Sequence, residues 1–579
     1  MQLPSVSALV GRAADVLRKF PLTMLLAAVA AVCAVAAVDG PDETRLARIA
    51  MVAMLGVPLS IGLALLARYR GWGAARQALW QLAGIALLLL FYRSWPGPDE
   101  KPDMLRYLQL SAIVHLGVSF LPFIRGRETS AFWQYNRRLF ESFLRAVLFS
   151  GVLFAGLAIA LVAVDKLFGV HVPPISYPRL WLVMALFVHP WIFLSGVPEE
   201  PAELDAATYP RALKVFTQYV LTPLVAIYLA IVVLYGVKII ATGSWPSGWV
   251  GYLVTSVAVA GMLGFLLVHP LRVQPSEGWI RFYSRMLFLG LTPAAILLLL
   301  ALWKRVDAYG LTELRVLGLV LGIWLLAMAV MFTTARETAI RTIPLSLAAI
   351  LLVCFTGPIS AARLGIRSQA RRLEHLLAAS ATTPDRAREA SAAVGYLIEN
   401  RAVAPLRRIF GDSAISRTAL MSLKWAARDS LASRLLAARG VLFDRSYARG
   451  GSKWSNAQRG HSRSVDVSGF DWMVPVSGAP DTLPVPVGAD TLRLGVDSTR
   501  TRLAVSAASG SVATFFIDSM YLGAGAGPGG TARPEALVAD RETGNLRFRL
   551  VLDNVYAYSS DADSLKLSGW NGELLIGRR

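Results

Sequence analysis

The chain has 579 residues, of which 55% are hydrophobic and 17% charged, and its formal net charge is +20. A soluble protein of this length carries more charge, so the composition argues against an ordinary globular enzyme and indicates a membrane protein. The basic excess does not indicate nucleic-acid binding. In the first 362 residues the charges lie in short segments between apolar runs, which is the pattern that orients membrane spans.

The two cysteines, Cys33 and Cys354, both lie inside apolar runs. This placement predicts small buried residues rather than a disulfide framework or a cysteine metal site. Residues 5–20 form an amphipathic pattern with Arg12, Arg18 and Lys19 before the first apolar run, and no small-residue cleavage site follows. We therefore expect that run to remain as a membrane anchor.

A membrane-spanning helix needs about 20 predominantly apolar residues. By that criterion the chain has about eleven candidate spans, and none of them contains Asp, Glu, Lys or Arg. Their approximate bounds are 21–38, 49–66, 77–92, 107–124, 146–164, 180–197, 215–237, 249–271, 286–303, 316–335 and 342–362. The sequence thus predicts a polytopic α-helical bundle over residues 1–362.

Loop charges predict the orientation of this bundle, because basic loops stay in the cytoplasm. With a cytoplasmic N-terminus, the inside loops hold most of the arginines, for example Arg68, Arg125, Arg272 and Arg336. An odd number of spans then places the C-terminal region outside the cytoplasm. A miscount of one span would reverse that placement.

Two further regions follow the bundle. Residues 363–449 are predicted to form a helical connector. This segment is basic, since it contains sixteen Arg or Lys and seven Asp or Glu. Thr383-Pro384-Asp385 predicts a helix cap within it. A basic helical segment beside a span can bind anionic lipid headgroups. A charged face exposed to solvent explains the same pattern.

Residues 450–579 contain short alternating runs separated by turn-rich stretches, which predicts an all-β, sandwich-like domain. The last four predicted runs are Leu546–Leu552, Val555–Tyr558, Ser564–Leu567 and Glu573–Ile576. Val474-Pro475 and Pro484-Val485-Pro486 are expected in edge strands or loops, since proline cannot donate a backbone hydrogen bond.

The tripeptide Val-His-Pro occurs twice, at 188–190 and 268–270. His189 and His269 are candidate functional residues, because paired imidazoles at similar depth can bind a metal, relay a proton or contact a phosphate. The simpler interpretation is a histidine at a helix C-terminus followed by a helix-breaking proline, or a weak internal duplication. His115, within the fourth candidate span, is another candidate, and a hydrogen bond to a neighbouring helix is the structural alternative.

The polar stretch Tyr309–Arg315 lies between two spans. Glu313 and Arg315 are expected to pair, and Thr312 to cap the next helix. Tyr309, Thr312, Glu313 and Arg315 are therefore candidates for a ligand site at the membrane surface, with capping and loop packing as the alternative.

Established catalytic patterns are missing from the sequence. The glycine-rich run 523–527 lacks the following lysine and helix of a phosphate-binding loop, and His-Glu-x-x-His and Gly-x-Ser-x-Gly motifs do not occur. We therefore predict no catalytic residues, no metal ligands and no cofactor, and regard an enzyme as the less favoured class.

The central block resembles a bacterial membrane-protein family known as domain of unknown function 4153. The resemblance rests on 189–198, on Tyr209-Pro210 and Lys214, on 218–225 with Tyr228, on 245–249, and on the Arg305–Arg315 stretch. Ser368-Gln369 and Arg372-Leu373 extend it beyond the last span, so that it covers roughly residues 130–400. It implies a polytopic inner-membrane protein and carries over no catalytic residues.

Three functions fit these features. The first is an envelope anchor, interaction or assembly protein that presents a soluble module to a partner the sequence does not identify. The second is a transporter or channel for an uncharged or lipid-like solute, because several spans contain proline. The third and weakest is a membrane enzyme acting on a lipid-linked substrate near His189 and His269.

Overall fold

The structure is a computed structural model. It describes residues 14–38, 40, 42–98, 101–125, 129–198, 209–243, 249–273, 277–334, 339–378, 383–412, 415–416, 420, 425–444, 453–458, 466–479, 482–487, 490–508, 510–523, 534–559 and 565–578. The chain divides into two compact units, Met1–Ser368 and Gln369–Arg579.

The first unit is built from apolar helices. They are α1 (Pro21–Ala37), α2 (Glu43–Tyr69), α3 (Ala74–Ser94), α4 (Lys101–Phe120, then a 3-10 turn Leu121–Phe123), α5 (Thr129–Phe168), α6 (Ser176–Val183, Met184–Val188 and His189–Leu194), α7 (Arg211–Phe216, Thr217–Leu221 and Thr222–Thr242), α8 (Trp249–Val268, then a 3-10 turn His269–Val273), α9 (Gly278–Tyr309), α10 (Glu313–Thr334) and α11 (Thr342–Phe355). Helix α12 (Ala361–Ala378) starts in this unit and continues into the second.

Among the described helices, nine are long and apolar enough to cross a bilayer, and these are α2 to α10. Helices α1 and α11 are apolar but shorter, with 17 and 14 residues. The predicted helical, membrane-type bundle is therefore confirmed, whereas a crossing by α1 and α11 stays a prediction.

The outer surface of the bundle is apolar. On α5, for example, Val152 is 62% exposed and Ile159 is 69% exposed, and on α7 Ile240 is 86% exposed. Exposed apolar side chains along several helices are unfavourable in water and favourable in hydrocarbon. This surface supports membrane embedding independently of the sequence pattern.

Small residues allow some helices to pack closely. In α10, Gly318 and Gly322 are one turn apart and face α9, where a Cβ atom added at these positions would lie 2.9 Å from Leu302 and 2.8 Å from Leu299. Such small-residue contacts are typical of membrane helix pairs, because lipid supplies little hydrophobic driving force for helix association.

The second unit begins with helices and ends with strands. After α12 come α13 (Pro384–Glu399), α14 (Val403–Phe410) and α15 (Trp425–Ala437). The predicted cap is present, since the Thr383 side chain accepts a hydrogen bond from the Arg386 backbone N–H at 3.4 Å. The Arg386 guanidinium in turn donates to the carbonyl of Leu376 near the end of α12 at 2.7 Å.

The strands form two antiparallel sheets. They are β1 (Lys453–Gln458), β2 (Trp472–Ser477), β3 (Thr482–Val487), β4 (Asp490–Val496), β5 (Arg502–Ala507), β6 (Gly510–Phe516), β7 (Val538–Thr543), β8 (Leu546–Ser559) and β9 (Leu565–Arg578), with a short helix α16 (Ile517–Gly523) after β6. One sheet has the order β1-β8-β9-β2, with β7 also paired to β8, and the other has the order β3-β4-β5-β6. The proline-containing strands β2 and β3 are both edge strands, as predicted.

Buried residues from both sheets belong to one hydrophobic cluster, which includes Leu494, Phe515, Phe548 and Leu574. The turn after β4 is held by Asp497. Its Oδ1 atom accepts hydrogen bonds from the backbone N–H groups of Thr501 at 2.7 Å and Arg502 at 2.9 Å. The prediction of an all-β region is thus confirmed, but the two longest strands were each predicted as two separate runs.

Candidate functional site

Pro270 changes how α8 ends. Its ring nitrogen carries no hydrogen, so the carbonyl of Leu266, four residues earlier, lacks its normal helical donor. The indole Nε1–H of Trp133 on α5 donates to that carbonyl at 2.6 Å. The Tyr209 hydroxyl donates to the next carbonyl, that of Leu267, at 2.8 Å. We call this region, where α8 ends and α5, α7 and α9 begin, the His269 end of the bundle.

The two donors support each other. The rings of Trp133 and Tyr209 stack with centroids 5.6 Å apart. Burial raises the pKa of Tyr209, so its hydroxyl remains protonated and able to donate. The guanidinium of Arg137 lies 5.7 Å from the Trp133 ring and pairs with Glu141 at 2.9 Å. Side chains therefore cap this helix end.

An ion pair lies in the same region. Lys214 on α7 donates to Oε1 of Glu277, which precedes α9, and the Trp279 indole donates to Oε2 at 2.9 Å. The hydrogen bond from Lys214 is the main reason that the pKa of Glu277 is lowered, against an opposing effect of burial and with help from Trp279. Glu277 is only 8% exposed, so its charge is compensated inside the protein.

His269 lies in an aromatic environment. Its ring contacts Phe265 edge-on, with centroids 5.5 Å apart, and the guanidinium of Arg272 lies 5.4 Å from the same phenylalanine. Phe265 packs in turn against Phe288 and Phe332. A neighbouring arginine and phenylalanine do not offer the carboxylate that a histidine-based metal or proton site uses.

His189 occupies a different place. It lies within α6 and contacts Phe143 of α5 edge-on, at a centroid distance of 5.6 Å. At this position the helix continues through the proline, whereas α8 gives way to a 3-10 turn at His269. The two Val-His-Pro tripeptides therefore have different backbone structures, and the two histidines contact different aromatic rings, Phe143 and Phe265.

Wide helical turns precede two prolines. In α6 the His189 N–H bonds to the carbonyl of Met184, and in α7 the Thr222 N–H bonds to the carbonyl of Thr217, five residues back in each case. Pro190 and Pro223 follow directly. A widened turn relieves the clash between the proline ring and the carbonyl four residues before it. The feature that repeats in the structure is thus a π-helical turn before a proline, in the consecutive helices α6 and α7. The Val-His-Pro tripeptide, which repeats in the sequence, lies instead in α6 and at the end of α8.

His115 bonds within its own helix. Its Nδ1 atom lies 2.7 Å from the carbonyl oxygen of Ser111, and the side chain is exposed on the surface of α4. The expected hydrogen bond to a neighbouring helix is not the one that the structure shows.

The Tyr309–Arg315 stretch lies at the opposite end of the bundle, which we call the Glu313 end. Arg315 donates to the carbonyls of Gly310 at 2.6 Å and Tyr309 at 3.2 Å, so it caps α9. The expected pair between Glu313 and Arg315 does not form among the described residues. Glu313 is 6% exposed and interacts electrostatically with Arg106 and Asp103 of α4.

The other two candidates in this stretch, Thr312 and Tyr309, make contacts of a kind that stabilises the fold. Thr312 precedes α10, and its backbone carbonyl accepts from the Val316 N–H at 2.9 Å, while Tyr309 is 52% exposed beside the Arg315 guanidinium. Within the described part of the chain, no group of three or more His, Cys, Asp or Glu side chains is placed to hold a metal ion.

Comparison with protein families identifies the chain. The model of the family described as Domain of unknown function (DUF4153) matches residues 24–399, which include α2 to α13 and most of α1. The chain belongs to the DUF4153 family. This confirms the resemblance drawn from the Val-His-Pro block.

One relative of this DUF4153 protein is the uncharacterized protein PM1469 of Pasteurella multocida (strain Pm70). The two are 26% identical over 236 residues, which are 40% of this chain and 39% of the relative. The match thus spans about two fifths of that protein's length. No solved structure matches this chain.

Sequence reasoning missed most of the His269 end. Tyr209 and Lys214 were noticed only as part of the family resemblance, and Trp133, Glu277 and Trp279 were not singled out. A signal did exist, because Glu277 is the single acidic residue between Arg272 and Arg281 in the segment that joins two spans. Its partner on α7 is 63 residues away in sequence, so only the fold identifies the pair.

Proposed function

We propose that this DUF4153 protein is a multi-pass inner-membrane anchor that presents its second unit for interaction or assembly in the bacterial envelope. The proposal includes a membrane crossing by all eleven apolar helices, a cytoplasmic N-terminus, a periplasmic second unit and a sandwich arrangement of the two sheets. The observation that carries it is a separate hydrophobic core in the second unit, formed from both sheets. A unit with its own core can act as a module beyond the membrane.

The outer face of the five-stranded sheet is the part that we expect to bind a partner. Two of its arginines, Arg547 and Arg549, lie beside an aromatic ring, 5.1 and 5.2 Å from Phe470. Arginine and aromatic residues are enriched where protein interfaces gain most of their affinity. Proline in the edge strand β2 disfavours addition of a further strand at that edge of the five-stranded sheet, which leaves the adjoining face as the more suitable surface.

Photocrosslinking in living cells tests this proposal. A photoreactive residue at Met473, which is 59% exposed on β2, is expected to give an adduct with an envelope protein, and one at the buried Phe548 serves as the control. No adduct from Met473, or an equal yield from Phe548, would refute the proposal. A periplasm-dependent reporter fused after Arg579 tests the orientation, and an inactive fusion would overturn the periplasmic placement.

We further propose that α12 contacts anionic lipid headgroups. Arg363, Arg367 and Arg371 are spaced by four residues and are all exposed, while Ala370 and Leu373 are buried. Each basic residue near an anionic surface contributes about 1 kcal/mol. Replacing the three arginines by glutamine is expected to weaken retention of phosphatidylglycerol by the full-length protein, and unchanged retention would contradict the proposal.

Transport of an uncharged or lipid-like solute is the second candidate. The observation that favours it is the pair of π-helical turns in α6 and α7, because such turns often occur at functional positions. A flux assay in proteoliposomes tests it. If Pro190→Ala and Pro223→Ala leave solute flux unchanged, these turns have no role in transport.

A further inference from the structure

A cavity of about 380 Å³ lies between α10, α11 and the start of α12. Its lining is formed entirely by apolar residues and one cysteine, and consists of Val316, Val320, Ala349, Ile350, Val353, Cys354, Ile359 and Leu364. Small-molecule sites typically have volumes of about 300–1,000 Å³, so the cavity is large enough for part of a ligand. An apolar space beside a membrane span suits a hydrocarbon chain.

A buried acidic side chain lies on α10 close to the cavity-lining residues of that helix. Glu313, Val316 and Val320 are three and seven residues apart, which places them on one face of α10, and the carboxylate comes one turn before the lining begins. Glu313 is 6% exposed, and its Oε1 atom has no hydrogen-bond partner among the residues that the structure describes. A buried carboxylate oxygen without a donor is unfavourable, so a donor from a ligand would stabilise it.

A cation lies near this carboxylate. The guanidinium of Arg106 on α4 interacts with Glu313 and lies 6.0 Å from the ring of Phe355, the residue next to the cavity-lining Cys354. The Glu313 end therefore places one positive group and an unsatisfied acceptor next to an apolar space. Asp103, which is 4% exposed, adds a second negative charge to this region.

We propose that the cavity binds an aminophospholipid. One acyl chain occupies the space between α10, α11 and α12, the ammonium group donates to Glu313, and the phosphate lies toward Arg106. The arrangement matches each part of the lipid with a group of complementary chemistry. It is independent of any role of the second unit, because every residue involved belongs to the bundle.

Native mass spectrometry of the full-length protein, exchanged from detergent into phosphatidylethanolamine or phosphatidylglycerol, tests the proposal. The lipid retained at the cavity, measured as the retention that is lost in a cavity variant, is expected to be phosphatidylethanolamine rather than phosphatidylglycerol, which separates it from phosphatidylglycerol held by the α12 arginines. Val320→Phe, which narrows the cavity, is expected to reduce that retention about tenfold, as the loss of about 1.4 kcal/mol of binding would do. Ile323→Phe is the matched control, because Ile323 is 59% exposed on the same helix and does not line the cavity.

Glu313→Gln tests the headgroup contact separately. The amide retains the shape but not the charge, so the preference for phosphatidylethanolamine over phosphatidylglycerol is expected to disappear while a lipid is still retained. Equal retention by wild type and Val320→Phe would overturn the cavity as the site, and an unchanged preference in Glu313→Gln would overturn the ammonium contact. Thermal unfolding of each variant, followed by tryptophan fluorescence, verifies that the bundle is folded.

Discussion

The ion pair between Lys214 and Glu277 gives the sharpest prediction for the bundle. In Glu277→Gln the carboxylate charge is lost, while the amide oxygen can still accept from Trp279. Removing one partner of a fully buried pair costs about 3–5 kcal/mol, whereas an exposed pair contributes about 0–1 kcal/mol. The side chain of Glu277 is 11% exposed and that of Lys214 is 32% exposed, so the pair lies between these limits. We expect a loss of about 2 kcal/mol in the free energy of unfolding.

Thermal unfolding of the full-length protein in nanodiscs measures this effect, and the Tm is expected to fall by about 2–3 °C. A double-mutant cycle with Lys214→Met isolates the pair, since the double variant should be less destabilised than the sum of the single variants by about 1 kcal/mol. Glu374→Gln is the matched control, because its pair with Arg408 has exposed side chains, 41% and 63%. A coupling no larger than that of the exposed pair would refute the reasoning.

The same pair has a defined pH dependence. Because the pKa of Glu277 is lower in the folded protein than the value of about 4.3 in an unfolded chain, its contribution is complete above that value. It is lost as the pH falls through the lower pKa of the folded state. The difference in Tm between wild type and Glu277→Gln should therefore shrink on acidification below about pH 4.3.

Three other substitutions test single contacts. Trp133→Phe removes the donor to the Leu266 carbonyl and should cost about 1–3 kcal/mol, measured as a lower Tm. Gly322→Leu brings side-chain atoms against Leu299 and should destabilise the bundle by about 1–3 kcal/mol in the same measurement. Asp497→Ala should lower hydrogen-exchange protection of β4 and β5 in the intact chain. Although burial of Asp497 acts in the opposite direction, hydrogen bonds to its carboxylate lower its pKa, so this effect should be largest above about pH 4 and fade in acid.

Each of these has a control in the same chain. Trp303→Phe alters an indole that is 66% exposed and should leave the Tm unchanged. Gly156→Leu on α5 places the new Cβ atom where no heavy atom of the described residues lies within 4 Å, so it should be tolerated. Glu542→Gln changes an exposed acidic residue on β7 and should not alter protection of β4 and β5. A variant that behaves like its control would show that the proposed contact does not stabilise the fold.

Local sequence patterns were sufficient to predict the apolar helices and the two proline-containing edge strands of this protein. Long apolar runs produce helices whatever their neighbours are, since backbone groups in hydrocarbon must be satisfied within the helix. The positions of β2 and β3 at sheet edges follow in the same way from the missing N–H of proline. The sequence did not predict that the short runs join into the long strands β8 and β9. The reason is that these strands continue through irregularities in the pairing, such as the one between Leu552 and Asn554.

The sequence by itself determined the apolar helical bundle, the following helices, the β region and the family. The tertiary structure decided which partners the polar residues contact. The two Val-His-Pro tripeptides are identical in sequence, yet His189 lies inside a continuing helix and His269 at a helix end capped by Trp133 and Tyr209. Glu313 interacts with Arg106 and Asp103 of α4 rather than with its neighbour Arg315. Hydrogen bonds and ion pairs depend on which distant helices meet, and a short sequence pattern does not contain that information.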